Sequence, residues 1–191
     1  EAAITLPGEP DRAEAAVAAV VEEVRRIEAV FSLWDAGSEI SRLNAAGRLE
    51  RPDRRFLDLI ERADEMARTT DGGFDPTVQV LWTAAAEGGD PASAAGRVGR
   101  DGLSADAGRL AFRRPQMALT FNGIAQGFAA DAAAAILEGF GYRNVLVDLG
   151  EFRALGRAPA GRPWRVGVAA PAGGRVAAVL SPGDGAVATS A

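Results

Sequence analysis

The sequence predicts an α+β fold with largely antiparallel strands and helices packed on them. Three observations carry that prediction. Helical stripes fill the first third of the chain, short apolar runs punctuated by Pro and Gly fill the last third, and one helix lies between strands. With 48% apolar residues and a mean hydropathy of +0.00, the 191 residues suit a single globular domain over 1–191.

Residues 3–6 read as a short strand closed by Pro7 and Gly8. Asp11 is then placed to cap a helix that carries Val17, Val20, Val21, Val24, Ile27 and Phe31 on one stripe. The polar segment after Phe31 breaks it. Ser38 caps a short helical turn, Glu39 to Asn44, which Gly47 ends. A third helix follows Pro52-Asp53, with Phe56, Leu57, Ile60, Ala63 and Met66 inward, and ends near Thr69-Thr70 before a turn at 71–73. Residues 83–100 carry little periodicity and read as one short helix and a loop. Strands are expected around Leu103, from Arg109 to Arg113 and from Met117 to Phe121. A fourth helix runs from Ala125 to Glu138 and is stopped by Gly139 and Gly141. Strands at Asn144–Leu149, Trp164–Val168, Arg175–Leu180 and Ala186–Thr189 complete the chain.

Composition narrows the chemistry. The formal charge is −5 and all positive charge is on Arg, which argues against a nucleic-acid partner. With neither Cys nor His, the chain lacks a thiolate nucleophile, a Cys or His metal ligand and an imidazole base. Any metal held by these residues is therefore a hard ion on oxygen, such as Mg²⁺ or Ca²⁺. No apolar run reaches the roughly 20 residues of a membrane-spanning helix.

Three segments could carry chemistry. In Thr69-Thr-Asp-Gly-Gly-Phe-Asp-Pro-Thr77 two glycines let backbone N–H groups approach a ligand, and Pro76 holds Asp75 extended. The Asp75 carboxylate could then accept from a ribose hydroxyl or a base amide. The plainer alternative is a helix-to-loop turn capped by Asp71. In Thr120-Phe-Asn-Gly-Ile-Ala-Gln-Gly-Phe-Ala-Ala-Asp131 a glycine turn feeds a helix N-terminus, which suits phosphate. It has neither a GxGxxG nor a P-loop pattern, and a packing glycine explains it as well. The run Val145-Leu-Val-Asp-Leu-Gly-Glu151 ends a strand where a ligand group or a plain turn would serve. Trp34, in a polar loop, is either a core anchor or a stacking platform.

Taken in order, Phe31-Ser-Leu-Trp34 with Ser38 to Asn44, Asp71 to Val78, Asn122 to Asp131, Val147-Asp-Leu-Gly150, Gly161-Arg-Pro-Trp164 and Ala188-Thr-Ser190 resemble the ApbE flavin-transferase family over nearly the whole chain. The resemblance implies a compact α+β domain that binds FAD with Mg²⁺ on the pyrophosphate. A Thr or Ser hydroxyl of an acceptor protein would attack the FMN-side phosphorus and release AMP. The alternatives are a Mg²⁺-dependent FAD pyrophosphatase giving FMN and AMP, and a non-catalytic flavin-binding protein.

The resemblance further implies that Trp34 is an aromatic FAD contact and that Gly73, Phe74 and Asp75 form the loop touching the nucleotide. It places Thr120 and Gln126 at FAD-contacting positions and makes the Gly123 carbonyl a Mg²⁺ ligand. Thr120 and Gln126 replace residues that are often charged in the family, and Glu151-Phe152 replaces a Gly-Asn or Gly-Asp. The His-x-x-Asp-Pro stretch and the Asp- and Thr-containing metal motif are not in this sequence. The remaining metal ligands are thus expected beyond Ala191, in a chain incomplete at both ends. By the same resemblance the location is periplasmic or anchored to the inner membrane, through an N-terminal segment outside this chain.

Overall fold

The computed structural model describes residues 2–6, 10–106, 108–170 and 175–189; the side chains of Pro10 and Asp11 are outside that description. Five α-helices and nine short strands are present among these residues, and every strand pairing is antiparallel. The chain clusters into two compact units. The first comprises 1–25 with 126–191, and the second comprises 26–125.

In the first unit, β1 (Ala3–Thr5), β5 (Val145–Asp148), β6 (Phe152–Leu155) and β9 (Ala186–Val187) form a sheet in that order. Its core is closed by α1 (Pro10–Phe31) and α5 (Ala125–Gly139). Ala130, Ala133, Ala134 and Leu137 of α5 meet Ala16 and Val20 of α1 and the inward Val145 and Val147 of β5. Alanine at these spacings lets helix backbones approach the neighbouring layer closely, at no cost in side-chain entropy. The Arg153 guanidinium holds the sheet edge by donating to Asp131 and to the carbonyls of Asp184 and Gly185. β7 (Val166–Ala169) and β8 (Val176–Leu180) form a separate two-stranded ribbon.

In the second unit, the C-terminal part of α1 supplies Ile27, Val30 and Phe31 to the core, with α2 (Glu39–Ala46) and α3 (Arg54–Thr69). Phe31, Phe56 and Phe121 pack edge-to-face at 5.5 to 5.8 Å between centroids. Each such pair contributes about 0.5–1.5 kcal/mol beyond its buried area. A three-stranded sheet, β2 (Arg48–Glu50), β4 (Arg109–Phe112) and β3 (Leu103–Asp106), lies in that order. α4 (Gln79–Ala86) and 3-10 turns at Pro91–Arg97 and Arg100–Gly102 occupy the weakly periodic stretch.

The α+β fold is as the sequence predicts, and both ends of α2 follow the expected chemistry. The Ser38 hydroxyl accepts from Ser41 N, and Gly47 closes the helix in the left-handed region at φ 72°. Several details differ. α1 begins at Pro10, so Asp11 lies inside its first turn. Val21 and Met66, expected inward, are exposed, while Leu59 is buried in their stead. β2 and β6 form where no strand was expected, and Ser190 of the expected terminal motif lies outside the described residues.

The largest correction concerns Met117–Phe121, which is not a strand. Met117, Leu119 and Phe121 are buried in alternation, as a strand would bury them. Yet the backbone is satisfied by a side chain: Asn44 Nδ2 donates to Leu119 O at 2.9 Å and Leu119 N donates to Asn44 Oδ1 at 2.7 Å. One amide thus stands in for a neighbouring strand, which meets the requirement that buried backbone groups be paired.

Candidate functional site

The glycine turn after α3 is shaped by two left-handed residues, Asp71 at φ 50° and Gly72 at φ 80°. The Gly72 N–H returns to Ala67 O, so the helix end is sealed and the chain is turned outward. Gly73 N donates to Thr70 O and Phe74 N to the Thr70 hydroxyl. Asp71 is therefore not the cap proposed as the plainer alternative. A capping carboxylate stands instead at Asp75, the N-cap of the 3-10 turn Pro76–Val78, extended at φ −141°, ψ 116° as a residue before Pro should be. Its Oδ1 accepts from Thr77 N at 2.8 Å and from the Thr77 hydroxyl at 2.7 Å. The Thr77 oxygen, wholly buried, accepts in turn from Gly99 N at 2.7 Å.

Thr120 N donates to Pro76 O at 2.8 Å, which joins the 117–121 segment to this loop. The Thr120 hydroxyl accepts from Asn122 N at 3.2 Å and starts the turn that leads into α5. Gly123 is exposed on that turn, outside the left-handed region. A Cβ built there would lie 3.5 Å from the Phe74 ring, so the space does not demand glycine. Among the described residues no hydrogen bond engages the Gly123 carbonyl or the N–H groups of Gln126 and Gly127. The structure thus brings Phe74, Asp75, Thr120 and Gly123 together, with Gly73 on the adjoining turn.

Trp34 lies in a turn that ties itself together, with the Ser38 and Ser41 hydroxyls both donating to Ser32 O. The indole is 95% exposed, so the core-anchor reading fails and the ring is free to stack on a ligand. Gln126 belongs to the other unit. Its amide nitrogen lies 2.9 Å from where a Cβ on Gly150 would stand, and Gly150 has φ 94°. The turn after β5 is an ordinary one, since Asp148 Oδ1 accepts from Gly150 N at 3.0 Å. Glu151 Oε2 faces the start of α5, 3.1 Å from the Cβ position of Gly127.

Asn44 is the residue that sequence reasoning missed. It stood inside a motif without a role, and its position one residue past the expected α2 interior was the available signal. Among the described residues, no three acidic side chains converge as a metal site would require.

Residues 2–191 match the model of the ApbE family. The chain belongs to the ApbE family. Three curated relatives carry the name FAD:protein FMN transferase. That of Haemophilus influenzae is 28% identical over 167 residues, covering 78% of this chain and 48% of that protein. That of Vibrio cholerae is 29% identical over 176 residues, covering 84% and 53%. The chain spans about half the length of the curated relatives it matches. Among solved structures, the ApbE protein of Thermotoga maritima superposes with a TM-score of 0.82 at 28% identity, over 98% of this chain and 65% of that one. The apo flavinyl transferase ApbE of Pseudomonas stutzeri gives 0.75 at 30% identity, over 92% and 57%.

Substitution at Asp75 separates structure from binding. Asp75→Ala leaves Thr77 N without its acceptor and should cost about 1–2 kcal/mol of stability. Asp75→Asn keeps an oxygen for Thr77 and should hold the unfolding midpoint while losing the negative charge. Thermal unfolding and FAD titration of both variants, side by side, check this. If Asn is as destabilising as Ala, the cap is not what Oδ1 provides.

Proposed function

We infer that this chain is the FAD-binding part of a Mg²⁺-dependent flavin transferase. FMN passes from FAD to a Thr or Ser hydroxyl of an acceptor protein and AMP leaves. The observation that carries this reading is the convergence of the 72–75 loop and the 120–123 turn, which Thr120 N joins through Pro76 O, on one carboxylate and on the Gly123 carbonyl, to which no hydrogen bond is made among the described residues. That is the chemistry a nucleotide needs where no Lys or His is available.

In this reading the Asp75 Oδ2 atom accepts from the nucleotide, because Oδ1 is already committed to Thr77. The Phe74 ring walls one side of the Gly123 turn, and the exposed Trp34 indole offers a stacking face. In the other unit, the N–H groups of Gln126 and Gly127 at the start of α5 would by themselves suit a phosphate oxygen. The Gly123 carbonyl fits a Mg²⁺ ion, being an exposed oxygen without a protein donor, and Mg²⁺ usually completes its shell with substrate phosphates and water. Bound there, the ion would neutralise charge developing on the phosphoryl oxygens. The acceptor oxygen forms a bond to the FMN-side phosphorus, the bond from that phosphorus to the bridging oxygen breaks, and AMP departs with the bridging oxygen. The hydroxyl proton passes to solvent.

Incubation of the protein with FAD, Mg²⁺ and a Thr-containing acceptor peptide tests the reading. Covalent FMN on the peptide supports it. Free FMN with AMP identifies a pyrophosphatase, and unchanged FAD that is nevertheless bound identifies a flavin-binding protein. Because the described residues supply no carboxylate cluster for the metal, we expect the 191-residue chain alone to turn FAD over negligibly. A periplasmic or membrane-anchored location completes the proposal, and cell fractionation would check it; no helix of the described residues is long and apolar enough to cross a membrane.

A further inference from the structure

A second cleft lies in the 26–125 unit, bordered at one side by Asn44 and Met117. An open cleft of about 580 Å³ runs where the turn from α2 to β2 meets the end of β4. Arg48, Arg113 and Arg114 line it, and no acidic side chain does, in a protein of net charge −5. None of the proposed flavin-site residues lines it either.

The charges are segregated by the sheet register. Leu49 and Leu110 face the core, opposite one another. Arg48 and Glu50 therefore project to the other face of β2, with Ala111 and Arg109 opposite them on β4. Asp106 pairs across from Arg109, so both carboxylates of this face gather around Arg109 at one end. Arg48 remains at the other end, across from the small Ala111, and Arg113 follows two residues later. The Phe112 N–H donates to Gly47 O at 2.8 Å, which extends the pairing toward Arg113. A diagonal of this kind spans roughly 7–8 Å, somewhat less between Cβ atoms, which two arginines can close around one ion.

Arg114 differs from the other two. Its guanidinium is fastened to Asp101 and to the Gly99 carbonyl, so its charge is already answered. Arg48 and Arg113 are exposed and have no acidic partner among the described residues. Gln116, held at φ 58°, adds an exposed amide to the rim. A non-glycine residue kept in that region is a local strain of the kind that gathers at ligand sites.

We propose that this cleft is a phosphate-binding site, in which Arg48 and Arg113 grip the oxyanion of a small phosphorylated ligand. Paired guanidinium forks match phosphate oxygens two at a time, which a diffuse basic surface does not. The inference goes beyond the flavin reading and does not rest on it.

The test is a calorimetric and NMR titration of the 191-residue chain with inorganic pyrophosphate and with AMP, FAD being absent. Saturable binding is expected, with amide shifts centred on Arg48, Ala111 and Arg113. The Arg48→Gln/Arg113→Gln double variant should lose about tenfold or more in affinity. Both arginines are exposed and unpaired, so the unfolding midpoint should hold; if it does not, Arg113→Gln alone, beyond the strand's end, carries the test. The proposal is overturned if binding fails to saturate by about 10 mM, far weaker than paired-arginine contacts provide. It is equally overturned if the double variant binds as before, or if pyrophosphate leaves the amides of Arg48, Ala111 and Arg113 unshifted. Tighter binding of a glutamate-rich peptide than of pyrophosphate would mark a protein-docking surface and also overturn it.

Discussion

Replacing Asn44 with alanine is expected to lower stability by about 2–4 kcal/mol, measured as a shift in the urea or thermal midpoint. The figure follows from what the amide does. It satisfies both the N–H and the C=O of fully buried Leu119, and each buried backbone group left without a partner costs about 1–3 kcal/mol. Asn44→Asp makes the test sharper. The carboxylate still accepts from Leu119 N, but it sets an oxygen against Leu119 O where an N–H stood, so the variant should be no more stable than alanine. The effect should also reach the proposed site, because Thr120 follows Leu119 directly and the turn to Gly123 follows Thr120. FAD affinity of the intact protein should therefore fall in both variants. A shift under about 0.5 kcal/mol for Asn44→Ala, the range of an ordinary surface change, would mean that the 117–121 segment is held by its buried side chains alone.

The second large effect is expected at Gly123, where two substitutions should diverge. Gly123→Ala should be nearly silent: the backbone is outside the left-handed region and a Cβ has ordinary van der Waals room beside Phe74. Gly123→Pro fixes φ, removes an N–H at the entry to α5 and forces Asn122 toward an extended conformation. The turn and its carbonyl must then move. Misplacement of about 1 Å near reacting atoms can cost about a hundredfold in rate, and a loss of that order is expected in Mg²⁺-dependent FAD turnover by the intact protein. Circular dichroism confirms that the variant still folds. Turnover at the wild-type rate and Mg²⁺ requirement would show that the turn is not where the metal binds.

How far the sequence could be read depended on whether a structural element draws its cause from nearby residues. Ser38 and Gly47 bracket α2 through bonds to residues within four positions, so both were legible. Leu59 was missed because Leu57 lies only two positions away, a choice that turns on a small rotation of α3. β2 and β6 are three and four residues long and owe their state to partners distant in sequence. The misreading of Met117–Phe121 is the most instructive. Alternating burial reports which side chains face a core, whereas a strand is defined by where the backbone bonds go, and a side chain 75 residues away took that part.

The candidate site shows the same division. Pro76 made the extended conformation of Asp75 legible. Whether the carboxylate would cap or bind could not be settled locally, because both tasks need an oxygen aimed from the same backbone. Trp34 was ambiguous for another reason: nothing near it in sequence says whether the turn at 32–38 folds inward, and it does not.

The chain of bonds from Asp75 through Thr77 to Gly99 has a thermodynamic consequence. Under the proposed reading, a nucleotide that engaged Oδ2 would work on a carboxylate whose rotation is already set by Thr77, so the ordering cost would be met before the ligand arrived. The dependence runs both ways, as linkage requires. Whatever firms the turn at Gly99 favours the binding geometry at Asp75, and a ligand on Asp75 firms the turn at Gly99. Residues 24 positions apart are thereby made parts of one equilibrium, and in the proposed site variation around Gly99 would tune nucleotide affinity without touching a residue that meets the nucleotide.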